Sequence, residues 1–203
     1  MTPARLVVVM ATLVAMSCQP KDRQSSNTSQ GAGASTASAG STSAAASPVP
    51  CGVDARTMLT GDGIGELRVG VAVDRLARSC RIVQDTVVRG VEGIQERRIV
   101  VDLGRGSVMA VVDSSRIWRL HVQSPAFRTA DSLGVGSPAS SLRRRGARLL
   151  TGEGAHFVTL PSHCGLSFRL RGVAFGRVRA VEQIPDGATV GEVLVVGCRA
   201  SSS

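Results

Sequence analysis

The chain has 203 residues, with 24 Lys plus Arg against 15 Asp plus Glu, five Cys, one Trp, four Phe and no Tyr. That length gives room for one domain or two small ones, and an apolar fraction of 43% excludes a wholly disordered chain. The only long apolar run, residues 6–16, has 11 residues where a bilayer-spanning helix needs about 20, which excludes an integral membrane protein.

The first fifty residues read as address and tether. Residues 1–5 carry one positive side chain, residues 6–16 are an apolar core, and Ala15-Met16-Ser17 supplies the small-x-small pattern of a cleavage site. Residues 1–17 are therefore expected to be a signal peptide, and the next residue is Cys18. This arrangement resembles a bacterial lipoprotein signal, and the resemblance implies that Cys18 is acylated and becomes the anchor to a lipid bilayer. Between Gln19 and Pro50, 21 of 32 residues are Ser, Ala, Gly or Thr. Such a segment cannot bury enough apolar surface to offset its backbone entropy. Residues 18–50 are expected to form the lipidation site and a flexible linker with a reach of roughly 30 Å.

The remaining 153 residues carry 21 Arg and 14 acids, a net charge of +7, and a chain of that size buries about 70% of its unfolded surface. Residues 67–78 laid over 133–144 share five identities in twelve, at a constant offset of 66. In the first window Val73, Leu76, Ala77 and Cys80 fall at i, i+3, i+4 and i+7, one face of a short helix after Gly70. In the second, Ser137 is a candidate N-cap, Pro138 suits the first helical position, Ala139 and Leu142 repeat the spacing, and Gly146 suits the C-terminal cap. Three extended stretches follow each helix: 98–103, 108–112 and 117–122, then 156–160, 165–170 and 190–196. Residues 117–122 and 166–170 alternate apolar and polar, as half-buried antiparallel strands do. The expected fold is α+β in two related units, 51–126 and 127–203, each a short helix packed on an antiparallel β-meander.

The phrase 127–137, then a helix, then Cys164-Gly165-Leu166-Ser167-Phe168 resembles bacterial envelope lipoproteins. The helix-then-meander repeat is similar to that of small outer-membrane assembly lipoproteins and beta-lactamase inhibitor proteins. That resemblance implies an architecture and a habit of binding other proteins, and carries over no functional residue. The inhibitors use exposed aromatics on a concave sheet, whereas this chain has one Trp and no Tyr.

Apart from Cys18, the cysteines are Cys51, Cys80, Cys164 and Cys198, an even number in an exported chain, so two disulfides are expected. Four cysteines allow three pairings. The preferred one joins Cys51 to Cys80 and Cys164 to Cys198, because each bridge then closes a loop within one half. No Cys-x-x-Cys spacing supports a metal site, and His163-Cys164 is a lone neighbour pair. Arg143, Arg144, Arg145 and Arg148 form the densest basic cluster, read either as cations complementing a helix terminus or as a contact to an anionic surface. Nucleic acid is not expected as a partner, since an exported chain with 2% aromatics lacks a stacking platform. The glycine-rich run 61–65 reads as a turn, lacking the Lys-Ser/Thr ending of a phosphate loop. His121, His156 and His163 default to structural roles. Ser162 and His163, with acids such as Asp102 and Asp113, match no catalytic motif.

These readings converge on an exported, non-catalytic lipoprotein anchored through Cys18 to the outer or cytoplasmic membrane of a bacterium. It binds another envelope protein and needs no cofactor or metal. Trp118 and Arg119 are the partner-contact candidates, with the core as the alternative fate of a lone Trp. Two rival readings stand beside it: an envelope hydrolase of unfamiliar type using His163 or an acid pair, and a spacer that binds anionic surfaces through its arginines. A cleft holding His163 beside a carboxylate favours the hydrolase.

Overall fold

A computed structural model describes residues 50–89 and 93–198. The expected signal peptide, Cys18 and all of the linker except Pro50 lie outside the described residues. In chain order the elements are β1 (Gly63–Ile64), β2 (Leu67–Arg68), α1 (Val73–Leu76), β3 (Arg81–Arg89), β4 (Gln95–Asp102), β5 (Ser107–Asp113) and β6 (Arg116–Val122). They continue with α2 (Ala139–Arg143), β7 (Arg148–Gly152), β8 (Ala155–Thr159), β9 (Leu166–Arg171) and β10 (Thr189–Val195). The described residues are thus mostly antiparallel β-sheet with two short α-helices and two single-turn 3-10 helices.

Helices of four and five residues are too short to be stable by their own hydrogen bonds, and tertiary contacts hold them. Val73 and Leu76 of α1, and Ala139 and Leu142 of α2, are buried. Chain turns at Gly70 (φ 85) and Gly136 (φ 86) precede the helices, in a backbone region that glycine enters without steric cost. Gly70 N–H donates to Ile117 O and Gly136 N–H to Val190 O, so each turn is tied to the last strand of a meander. Val73 N–H reaches Ser115 O and Ala139 N–H reaches Ala188 O, which fixes each helix start.

Two helix details depart from the sequence expectation. Ala77 is exposed and caps the C-terminus of α1, because the helix stops before its third apolar position. Pro138, in extended conformation, takes the N-cap of α2. The Ser137 hydroxyl accepts instead from Gly134 N–H at 3.0 Å, so the cap expected of it is spent on closing the preceding turn.

The main sheet has eight strands in the order β3-β4-β5-β6-β10-β9-β8-β7. Two meanders of four consecutive strands therefore meet at their last strands, β6 and β10, which pair antiparallel with Val122 opposite Val193. Each meander has one strand more than expected, since β3 and β7 precede the three stretches legible in the sequence. Both lie at sheet edges, and their residues are exposed or half-buried throughout. One face of the sheet carries the main core: Ile99, Val101, Ala110, Leu120, Val193 and Phe168 pack with both helices and with Leu67, Phe127 and Leu133 in a single cluster. Burying each large side chain there contributes about 1.5–3 kcal/mol.

Disulfides join Cys51 to Cys80 and Cys164 to Cys198, the preferred pairing, across sequence separations of 29 and 34. The run 61–65 forms a turn and β1, as expected. A methyl group at Gly61 would stand 1.9 Å from Cys164 O and 2.6 Å from Cys198 Sγ. Only glycine lets the turn approach the second disulfide this closely. Among the described residues, no helix is long and apolar enough to cross a membrane.

Candidate functional site

Opposite the helices, the second face of the sheet carries a polar group set on its central strands. On β6, β5 pairs Val111 with Arg119 and then Val112 with Ile117. Trp118 is the extra residue of a β-bulge, a device that re-aims side chains. The bulge keeps Ile117 and Leu120 both buried and turns Trp118 out to 45% exposure. The alternative fate considered for Trp118, burial in the core, is thereby corrected. Arg119 lies with its guanidinium carbon 5.5 Å from the Trp118 ring centroid, within cation–π range. Trp118 also borders a cavity of about 480 Å³ whose apolar walls include Val69 and Val196.

Arg119 is itself mostly buried, and its Nη1 donates to Glu153 Oε1 at 2.8 Å. Glu153 stands in the β7–β8 turn, and β8 is three strand intervals from β6, about 14 Å in a flat sheet. The contact therefore ties the β7–β8 turn to β6 across the second face, over β10 and β9. Ala155, Phe157 and Leu194 form a small buried apolar cluster on the same face.

Further along β6, His121 Nδ1 donates to Glu192 Oε1 at 3.0 Å, Gln123 Nε2 donates to the same oxygen at 3.1 Å, and Arg169 Nη1 approaches Oε2 at 3.3 Å. Glu192 is 4% exposed. Burial alone would raise its carboxyl. The bonds from His121 and Gln123, the charge of His121 and the bond from Arg169 outweigh burial and hold it at about 2, against an ordinary 4.5. A cavity of about 420 Å³ opens beside this carboxylate between Gln123, Arg169, Arg171 and Gly191. Arg119 Nε and His121 Nε2 are buried and find no hydrogen-bond partner among the described residues.

The basic cluster does not converge on one patch. Arg143 donates to Ile184 O and pairs with Asp186, and Arg145 pairs with Asp131. Arg144 is limited to a 3.5 Å contact with Ser141 Oγ, and Arg148 is exposed on edge strand β7. His156 is buried between Thr151 Oγ1 and Ala174 O, the structural role expected of it. Asp102 turns toward Arg81 and the Gly104 N–H, and exposed Asp113 toward Ser114. Neither meets His163. The carboxylate that does is Asp131, at 2.9 Å. Sequence reading passed over Asp131 and Glu192. Glu192 did leave a signal, a lone carboxylate in the otherwise apolar run Val190-Gly191-Glu192-Val193-Leu194-Val195.

These features define a small α+β protein built on one eight-stranded antiparallel sheet, with its helices on one face and a buried charge cluster on the other. No protein-family model and no curated protein matches the chain. Among solved structures, the chain is similar to the uncharacterized protein yfeY from Escherichia coli. The likeness has a TM-score of 0.53 at 16% identity and covers 69% of this chain and 99% of that one. At that identity the likeness is one of fold.

Proposed function

We propose that the protein is an exported bacterial lipoprotein, anchored through acylated Cys18 to the outer or cytoplasmic membrane, that docks another envelope protein on its sheet. The observation that carries the docking reading is Trp118. A bulge holds the only Trp of the chain 45% exposed, with Arg119 over its ring and an apolar-walled cavity beside it. An exposed Trp stacked on an Arg combines two residue types that dominate binding energy at protein interfaces. The two disulfides support residence in an oxidising compartment, and the Ser/Ala/Gly/Thr segment gives the folded part freedom to reach a partner. The spacer reading has less support, since Arg143 and Arg145 are already ion-paired.

The same proposal includes two related helix-plus-meander units. In its favour are the paired turns at Gly70 and Gly136, the matching bonds from Val73 N–H and Ala139 N–H, and the meeting of the meanders at their fourth strands. Two experiments test the function. Palmitate labelling is expected on the wild type and absent from Cys18→Ala; an unlabelled wild type removes the anchor. A partner that co-purifies with the full chain from solubilised membranes is expected to be lost with Trp118→Ala; retention at wild-type level removes the docking site.

A further inference from the structure

The turn between β8 and β9 brings two neighbouring residues, Ser162 and His163, against Asp131, 32 residues from His163 in sequence. His163 N–H donates to Leu160 O and Leu166 N–H donates to His163 O, a double turn that presents Ser162 and His163 together. Ser162 Oγ is 2.8 Å from His163 Nδ1, and His163 Nε2 is 2.9 Å from Asp131 Oδ1. Asp131 is held in turn by the Thr129 hydroxyl and by its ion pair with Arg145. An ionised carboxylate only accepts hydrogen bonds, so it fixes the ring proton on Nε2 and leaves the Nδ1 lone pair facing the Ser162 hydroxyl. Nucleophile, base and orienting acid are thus in hydrogen-bonded series, which is the geometric criterion for an activated serine. The two ring nitrogens are exchanged relative to the familiar triad, but each group keeps its role. Beside them opens a cavity of about 230 Å³ walled by Leu59, Thr60, Ala130 and Leu166, small and partly apolar.

We propose that Ser162 and His163 are the catalytic residues of an acyl-transfer site for short-chain esters, with Asp131 as the positioning residue. In the forward step the Ser162 Oγ–H proton passes to His163 Nδ1 as Oγ bonds to the ester carbonyl carbon. The carbon–alkoxide bond then breaks and the leaving oxygen takes that proton, giving alcohol and acyl-Ser162. Water repeats the sequence and releases the carboxylic acid and free serine. The cavity admits an acetyl or propionyl chain beside Leu59 and Leu166. Burial, and after it the nearby Arg145 guanidinium, push the His163 imidazole below its ordinary 6.5, while Arg145 already balances the charge of Asp131. The base is therefore neutral at pH 7 and ready to accept a proton. This site shares neither Trp118 nor Arg119 with the docking reading and stands or falls separately.

A fluorophosphonate probe tests it, because attack by Ser162 Oγ forms an O–P bond, expels fluoride and leaves a stable adduct. With the full chain and both disulfides formed, mass spectrometry of peptides is expected to place the label on Ser162 and to find none in Ser162→Ala. Ser162 is exposed, so that variant folds. His163→Ala is expected to label at least about 100-fold more slowly, the usual contribution of a general base. Should that variant fail to fold, the pH profile of the wild type decides. The charged groups that face His163 are Asp131 and Arg145. The labelling rate must then rise to a plateau with a midpoint below pH 6.5, and Asp131→Asn must move that midpoint as well as lower the plateau. Label spread evenly over exposed serines, an unchanged rate in His163→Ala, or a rate that climbs without a plateau to pH 9 overturns the proposal.

Discussion

Replacing Glu192 by Gln removes the one buried carboxylate among the described residues while keeping its shape. In the folded protein that carboxyl ionises at about 2, against an ordinary 4.5, and each unit is worth about 1.4 kcal/mol. The shift therefore represents roughly 3 kcal/mol of stability. Its sign follows from linkage: the folded value is lowered, so the contribution is complete above pH 4.5 and is lost as the pH falls toward 2. Other carboxylates titrate in the same window, and taking the difference between wild type and Glu192→Gln cancels them. Denaturant unfolding followed by circular dichroism, with disulfides formed, measures that difference at several pH values. It is expected to be largest at pH 5 and above, and to shrink by about 3 kcal/mol on going to pH 2. A difference that stays flat across this range refutes the reasoning, since Glu192 would then be neither buried nor bonded to His121, Gln123 and Arg169 as described.

Three other outcomes follow from the fold. Changing Cys51 and Cys80 together to Ala opens a 29-residue separation and is expected to cost roughly 3–4 kcal/mol by loop entropy, read as a fall in the unfolding midpoint; no fall would mean the reduced chain is equally constrained. Gly61→Ala is expected to destabilise by at least about 2 kcal/mol, because its methyl would overlap Cys164 O, and a variant that melts with the wild type contradicts the close approach. Trp118, the only Trp, is expected to emit at long wavelength and to be quenched readily by acrylamide in the native state; a blue-shifted, protected emission would place it in the core.

Much of this architecture was legible wherever burial imprints a period on the chain. Strands β4, β5, β8 and β9 put apolar side chains on the core at alternate positions, β6 and β10 do so on either side of a bulge, and the expected bounds of all six are within three residues of those observed. Edge strands carry no such imprint. In β3, Val83 and Val87 are exposed while Asp85 pairs with Arg97 on the neighbouring strand, so the pattern neither alternates cleanly nor looks apolar. Trp118 was legible as a residue of interest but not as an exposed one, because a bulge breaks the period that its sequence neighbours keep. The disulfides were approachable from spacing, since short loops within one half favour the pairing observed. Clusters made by tertiary structure were not: Asp131 and His163 are 32 residues apart, and His121 and Glu192 are 71 apart. No local pattern announces that a turn and a strand pairing will join them.

An aromatic photo-crosslinking side chain, benzoylphenylalanine, which keeps a ring where the indole stands, placed at position 118 in intact cells tests the central claim most directly, with position 150 as control. Leu150 is comparably exposed, at 50%, but lies on edge strand β7. Docking at Trp118 predicts one discrete covalent adduct with another envelope protein from position 118 and none from position 150. Equal adducts from both positions, or no adduct from position 118, would contradict it.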